Sequence, residues 1–184
     1  FGPVTPADVS DILAGAADAL CIGPVAAHPF IARQQRLTFA RAGKTRPLDL
    51  DDYYATGGWQ GLAEAREIGP AATIEALITS GLRGRGGAGF PAGIKWRTVA
   101  GAQSPQKYIV CNADEGDSGT FADRMVMEGD PYVLIEGMAI AGHAVGASKG
   151  YIYIRSEYPH AIAKMEAAVK ACAHLIAPFD VEIR

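Results

Sequence analysis

"GYIYIRSEYPHAIAKMEAAVKACAHLIAPFDVEIR", residues 150–184, places one helix pattern between two strand patterns. Residues 150–155 and 179–184 are rich in β-branched and aromatic side chains, which favour strands. Between them, residues 158–175 carry apolar side chains at helical spacing, namely Ile162, Met165, Ala168, Val169 and Cys172. A strand, a helix and a second strand in this order predict two parallel strands joined by a right-handed crossover.

The same alternation begins further upstream. "KYIVCN" (107–112) predicts a strand and "PYVLIEGMAIAGHAVGA" (131–147) an apolar helix. Before them, helices are predicted from apolar periodicity and terminal glycines in 49–58, 59–69 and 69–81. The sequence therefore predicts an α/β fold with a parallel sheet, preceded by a helical N-terminal extension.

Composition excludes several classes of protein. The 184 residues carry a net charge of -3 and no basic tract, so nucleic acid is not expected as the main partner. No apolar run reaches the length of a membrane span. Cys21, Cys111 and Cys172 are an odd number at long spacings, which fits neither a disulfide framework nor a metal site and favours a reducing cytosol. Because the chain starts with Phe1 and stops inside a strand pattern, we expect a piece of a longer protein.

A glycine-rich stretch, "GLRGRGGAGFPAGIKW" (81–96), has six glycines and the cations Arg83, Arg85 and Lys95. Glycine allows backbone N–H groups to approach phosphate oxygens closely, and cations add attraction. The stretch matches neither the P-loop nor the dinucleotide fingerprint, because no Lys–Ser/Thr pair follows and a helix precedes it. A surface turn or hinge is the alternative. Phe90 suits a planar ring or the core, and Trp96 is expected in the core.

An acidic stretch, "CNADEGDSGTFADR" (111–124), follows the first predicted strand, where ligands sit in open parallel sheets. Asn112 and the carboxylates of Asp114, Glu115 and Asp117 suit ribose or ribityl hydroxyls and ring N–H groups. A divalent-metal site and a solvated acidic turn are the alternatives. Asp123 and Arg124 are expected to form a structural pair. Together the two stretches have the polarity of a nucleotide or flavin mononucleotide.

Three segments carry a resemblance to a known family: residues 81–96, "KYIVCNADEGDSGTFADR" (107–124) and "GYIYIRSEYPHAIAKM" (150–165). They resemble the FMN- and NADH-binding subunits of respiratory complex I, NAD-reducing hydrogenases and soluble NAD-dependent formate dehydrogenases. The fold implied is Rossmann-like α/β. The stretches 28–58 and 115–131 look most like the beta (diaphorase) subunit of molybdenum-containing formate dehydrogenase.

The resemblance implies roles for individual residues. Around FMN it places Gly84, Arg85, Gly86, Gly87, Lys95, Asn112, Asp114 and Glu115. Facing NADH it places Phe90, Lys95, Glu115 and Asp117. Glu115 is the carboxylate expected to position the rings and to tune the flavin. Asp117 stands where the complex I pattern usually has Glu, and Thr98 where that pattern often has an aromatic residue, so adenine stacking and NAD affinity are expected to differ.

The implied activity is hydride transfer between NAD(H) and FMN, followed by single-electron exchange with iron–sulfur clusters. The implied partners are a thioredoxin-like 2Fe–2S gamma subunit and a molybdenum-containing alpha subunit, in the cytoplasm. Residues 1–20 are expected to end a thioredoxin-like iron–sulfur domain, 21–69 to form a connector, and 70–184 to begin the FMN/NADH domain. A 4Fe–4S cluster is expected after Arg184, a 2Fe–2S cluster is possible before Phe1, and no metal site is expected between them.

Alternatives remain within and outside this family. Within it, the chain suits the diaphorase subunit of a NAD-reducing hydrogenase or the NADH dehydrogenase subunit of complex I. Outside it stand a non-catalytic flavin- or nucleotide-binding electron-relay scaffold and a metal-dependent phosphohydrolase that would use Asp114, Glu115 and Asp117.

Overall fold

The computed structural model describes residues 1–117 and 119–184. It divides into two compact units, Phe1–Thr38 and Phe39–Arg184. The first unit contains the short helices α1 (Val9–Leu13) and α2 (Pro29–Ala32) and three 3₁₀ turns. Its first turn, Pro6–Asp8, begins after the N-cap Thr5, whose backbone N–H donates to the Asp8 carboxylate at 2.8 Å.

The second unit is built on a three-stranded parallel sheet, which confirms the predicted α/β fold. Its strands are β1 (Tyr108–Ala113), β2 (Lys149–Ile154) and β3 (Asp180–Ile183), in the spatial order β1-β2-β3. The helices are α3 (Leu50–Ala55), α4 (Gln60–Thr79), α5 (Ala92–Gly101), α6 (Ala122–Gly129), α7 (Pro131–Val145) and α8 (Pro159–Ile176).

The core lies between the sheet and the helices α7 and α8. Met165, Ala168 and Cys172 of α8 are fully buried, as their helical spacing predicts, and Ile152 of β2 is buried with them. Burial of apolar side chains on one face of the sheet and one face of each helix is the main stabilising term for such a layer. The last residues of β1 and β2, Ala113 and Ile154, are buried in this core.

The helix α4 is interrupted where the sequence predicts a boundary. Gly69 has a φ of 83°, so the backbone leaves the helical conformation there and Pro70 starts the second half. The first half of α4 is anchored by Glu136, a buried carboxylate on α7 that accepts the backbone N–H groups of Trp59 and Leu62 at 2.8 and 2.9 Å. The hydroxyl of Tyr53 donates to the same carboxylate.

No helix within residues 1–117 and 119–184 combines the length and the apolar character that a bilayer crossing requires.

Candidate functional site

The glycine loop (residues 84–90) is closed at its base. An antiparallel bridge joins Arg83 to Pro91. Beside it, Gly84 N–H donates to the Phe90 carbonyl and Ala92 N–H to the Leu82 carbonyl, both at 2.9 Å. Helix α5 starts directly after this closure, so the loop lies in front of a helix N-terminus.

The glycines of this stretch serve two different purposes. At Gly86 and Gly87 a Cβ atom would meet nothing within 4 Å, and the φ of Gly87 is 100°. Their backbone is therefore bare and open to a ligand, in a conformation that favours glycine at position 87. At Gly93 a Cβ would lie 2.5 Å from Cγ1 of Ile78, so that glycine allows α5 to pack against α4.

The cations of the stretch also differ. The Arg83 side chain donates to the Gly89 carbonyl and braces the loop. Arg85 and Lys95 are exposed, and neither forms an ion pair within the part of the chain that the structure describes. Phe90 is 50% exposed, whereas Trp96 is half-buried and packs against the core, as predicted. Arg85 and Lys95 therefore remain available for an anion.

The acidic loop (residues 112–117) leaves the carboxyl end of β1. The side-chain oxygen of Asn112 accepts the Asp114 backbone N–H at 3.2 Å, which turns the chain immediately. Asp114 is half-buried and Asp117 is exposed. Glu115 has a φ of 48°, a left-handed conformation that is unusual for a residue with a side chain. Asn112 and Asp114 thus lie at the strand end, and Glu115 is held in a left-handed conformation.

The Glu115 carboxylate caps helix α6. It accepts the backbone N–H of Asp123 at 2.8 Å and that of Arg124 at 3.0 Å. This arrangement places a negative charge at a helix N-terminus, where the backbone dipoles favour it. The expected pair of Asp123 and Arg124 is wrong: Arg124 binds Glu128 at 2.8 Å, because residues four apart share a helix face and adjacent residues do not.

Two residues that sequence reasoning missed surround Glu115. Arg155 donates from Nη1 to the Glu115 carbonyl at 3.1 Å. The buried ring of Tyr158 lies beneath two guanidinium groups, that of Arg124 at 5.4 Å and that of Arg155 at 5.5 Å. Partial desolvation and the nearby Glu115 raise the pKa of the Tyr158 phenol. The segment "RSEYP" (155–159) directly follows β2. Because β2 pairs with β1 and ends at the same edge of the sheet, the position of this segment after a strand could have indicated that Arg155 and Tyr158 lie near Glu115.

A cavity of about 230 Å³ lies beneath the acidic loop, lined by Cys111, Asn112, Ala113, Asp123, Val126, Met127 and Leu134. Burial, with the charge of Asp123, raises the pKa of the Cys111 thiol to about 11. The thiol is therefore protonated at neutral pH, as a packed thiol should be. Within residues 1–117 and 119–184, no three His, Cys, Asp or Glu side chains are grouped as a metal ion would need them.

The donor set fits FMN. Bare backbone with Arg85 and Lys95 suits a phosphate, and Asn112 and Asp114 offer acceptors for ribityl hydroxyls. Nε of Arg155, beside Glu115, is buried and has no hydrogen-bond partner among the described residues. In the described part of the chain no hydrogen bond or ion pair joins the glycine loop to the acidic loop, and their meeting around one ligand stays a prediction.

Comparison with known proteins gives one family and several relatives. Residues 77–183 match the family described as the Nuo51 FMN-binding domain. The chain is 50% identical over 137 residues to the NADP-reducing hydrogenase subunit HndC of Solidesulfovibrio fructosivorans, covering 74% of this chain and 28% of that one. It is 51% identical over 121 residues to a subunit of the NADH-quinone oxidoreductase of Rhizobium meliloti (strain 1021), covering 65% of this chain and 29% of that one.

A solved structure of a related protein also aligns with this chain. The crystal structure of an NAD+-reducing NiFe hydrogenase in the air-oxidized state aligns with a TM-score of 0.65 and 31% identity, covering 98% of this chain and 30% of that one. The chain therefore spans less than a third of the length of each of these three relatives.

Proposed function

The chain belongs to the Nuo51 FMN-binding domain family, and we propose that it forms the flavin and dinucleotide site of a diaphorase subunit. In this proposal NAD(H) and FMN exchange a hydride, and iron–sulfur clusters elsewhere in the protein or its partners exchange single electrons with the flavin. The observation that carries the proposal is the closed glycine loop, which leaves Gly86 and Gly87 bare and Arg85 and Lys95 without ion pairs in the described part of the chain.

In this proposal different residues bind the phosphate and the ribityl chain of FMN. Gly84, Gly86 and Gly87 let backbone N–H groups reach the phosphate, and Arg85 and Lys95 neutralise its charge. Asn112 and Asp114 accept hydrogen bonds from the ribityl chain. When bound, FMN supplies the hydride-accepting ring and the ability to pass electrons on singly.

The dinucleotide side rests on different side chains. Phe90 offers an exposed aromatic face for a planar ring, and Lys95 offers a cation beside it. Glu115 and Asp117 accept hydrogen bonds from the nicotinamide or its ribose. Glu115 can do this while capping α6, because a carboxylate has about four lone-pair positions and α6 uses two.

For the electron donor we propose formate, oxidised at a molybdenum-containing partner subunit, in a cytoplasmic complex that also carries a thioredoxin-like 2Fe–2S subunit. The support is the amino-acid sequence of residues 28–58 and 115–131, which resembles that of the formate dehydrogenase beta subunit. A hydrogenase partner is the second candidate, because a relative and a solved structure reported above are both hydrogenase components by name.

The first test is the visible absorption spectrum of the full-length protein before and after anaerobic addition of NADH. A flavin band that bleaches with NADH is the expected result. A protein that stays colourless after FMN supplementation would contradict the proposal. A protein that holds flavin but is not reduced by NADH would favour the relay scaffold. Formate and hydrogen, added separately to the complex with its partner subunits, then distinguish the two donors.

A matched pair of variants tests the glycine loop itself. Gly87→Ala and Gly43→Ala both introduce a side chain at a positive φ, 100° and 77°, with nothing within 4 Å of the new Cβ. Each should destabilise the fold by roughly 1–2 kcal/mol through backbone strain. Only Gly87→Ala should also weaken FMN binding, and equal FMN affinity in the two variants would remove the loop from the site.

A further inference from the structure

We infer that Arg155, braced by Tyr158, is a positioning residue that fixes Glu115 in the conformation the flavin and dinucleotide site uses. The inference rests on the function proposed above and adds residues that follow β2, outside both loops.

Glu115 needs external support for its conformation. Its φ of 48° is sterically unfavourable for a residue with a Cβ atom, and it persists only where surrounding contacts impose it. Among the described residues, Asp123 and Arg124 donate their N–H groups to the carboxylate, the Tyr158 phenol lies close enough to interact with the same carboxylate, and Arg155 donates to the carbonyl at 3.1 Å. The contacts to the carboxylate fix the side chain, and among the described residues the Arg155 hydrogen bond is the one that fixes the peptide that follows Glu115.

That peptide decides where the rest of the acidic loop points. Rotation of the Glu115 carbonyl would turn the chain that leads on to Asp117 while the cap on α6 stayed in place. Arg155 thereby couples the backbone of the acidic loop to the end of β2, which pairs in parallel with β1 up to Ala113 and Ile154. Ala113 and Ile154 are both buried and paired in the sheet, so Arg155 extends from a buried strand end.

Arg155 is itself held in one orientation. Its Nη2 donates to Glu157 at 3.0 Å, and its guanidinium lies over the Tyr158 ring at 5.5 Å. Its pKa is raised by the hydrogen bond to Glu157 and, more weakly, by surrounding charges that include Asp114. The planar guanidinium of arginine can donate hydrogen bonds in two directions while it stacks on an aromatic ring. The compact ammonium of lysine is not planar and cannot make the same set of contacts.

The experiment measures FMN affinity by titrating the flavin-free, full-length protein with FMN and following flavin fluorescence. The variants are Arg155→Gln, Arg155→Lys and, as a control, Arg66→Gln. Arg66 is also a guanidinium that donates to two backbone carbonyls, those of Leu175 and Ala177 at 3.0 and 3.2 Å, but it lies on α4 and outside both loops. Thermal unfolding of each flavin-free variant reports on the fold separately.

We expect Arg155→Gln to weaken FMN binding roughly tenfold or more, the size of a lost hydrogen bond from a charged donor. Arg155→Lys should keep the charge but still bind FMN several-fold more weakly, and Arg66→Gln should bind FMN like the wild type. Should Arg155→Gln fail to fold, the lysine variant decides.

Folded Arg155 variants with wild-type FMN affinity would overturn the inference and leave the proposed function standing. The same holds if Arg66→Gln loses as much FMN affinity as Arg155→Gln, since the effect would then follow general destabilisation. A wild-type protein that binds no FMN would overturn the proposed function and this inference together.

Discussion

Glu115 and Glu136 both cap the N-terminus of a helix, but they do so in different surroundings. Each accepts two backbone N–H groups at the start of a helix, Glu136 for α4 and Glu115 for α6. Each stands beside a non-glycine residue with positive φ, since Trp59 has a φ of 65° and Phe121 a φ of 52°. Helix capping therefore does not distinguish a structural carboxylate from a functional one.

What separates the two is the rest of the environment. Glu136 is only 7% exposed, its third donor is the Tyr53 hydroxyl, and the ring of Tyr53 packs against those of Trp59 and Tyr132. Glu115 is half-exposed, follows a strand at the edge where ligands bind, and has Arg155 and Tyr158 beside it. A buried carboxylate with all its partners inside the protein stabilises the fold, whereas a half-exposed one retains acceptor capacity for a ligand.

The largest effect is expected at Glu136. Glu136→Ala leaves two buried N–H groups and the Tyr53 hydroxyl without an acceptor, so the free energy of unfolding should fall by about 3 kcal/mol. Urea unfolding of the flavin-free protein measures this. Tyr53→Phe removes one donor and leaves the carboxylate in place, so it should cost about 1 kcal/mol. FMN affinity of the folded Glu136→Ala protein should stay within about twofold of the wild type.

A loss of less than about 1 kcal/mol in Glu136→Ala would show that water replaces the carboxylate, and the contrast with Glu115 would disappear.

A smaller effect on stability, with a larger one on function, is expected at Glu115. Glu115→Ala removes a helix cap and should cost about 1 kcal/mol. Glu115→Gln keeps the shape and one acceptor oxygen, so its unfolding free energy should change less, while the KM for NADH or the flavin midpoint potential should shift. Stopped-flow reduction by NADH and a redox titration measure the two quantities. If both stay at their wild-type values, Glu115 is a structural cap like Glu136.

The sequence was sufficient to predict the sheet and its helices. The strands predicted at 107–112 and 150–155 lie at Tyr108–Ala113 and Lys149–Ile154, a shift of one residue each. The predicted break in α4 falls at Gly69. These features follow from side-chain periodicity and glycine, which act locally and can therefore be read from neighbouring residues.

The surroundings of Glu115 could not be predicted in the same way. Arg155 reaches it because β1 and β2 pair with Ala113 opposite Ile154, so the residues that follow the two strands meet. That register depends on the packing of the whole sheet and not on local pattern. The role of Gly93 could not be predicted either, because this glycine is required by the closeness of Ile78, a contact that exists only in the tertiary structure.

The smallest effect is expected at Asp123, a carboxyl group close to Glu115. Partial desolvation and the charge of Glu115 raise the pKa of the Asp123 carboxyl above its usual 3.8. Because the folded protein holds this proton more tightly than the unfolded chain, the stabilising contribution is present below pH 3.8 and is lost as the pH rises through the folded-state pKa.

Asp123→Asn abolishes this titration. The variant should therefore gain stability relative to the wild type as the pH rises from about 4 to about 7, by less than about 0.5 kcal/mol because the side chain is exposed and screened. Urea unfolding at the two pH values measures the difference, and Glu64→Gln on α4 is the control for removing an exposed carboxylate outside the site. A variant that instead loses stability relative to the wild type at neutral pH would mean that ionised Asp123 supports the helix start, and that Glu115 does not experience a like charge there.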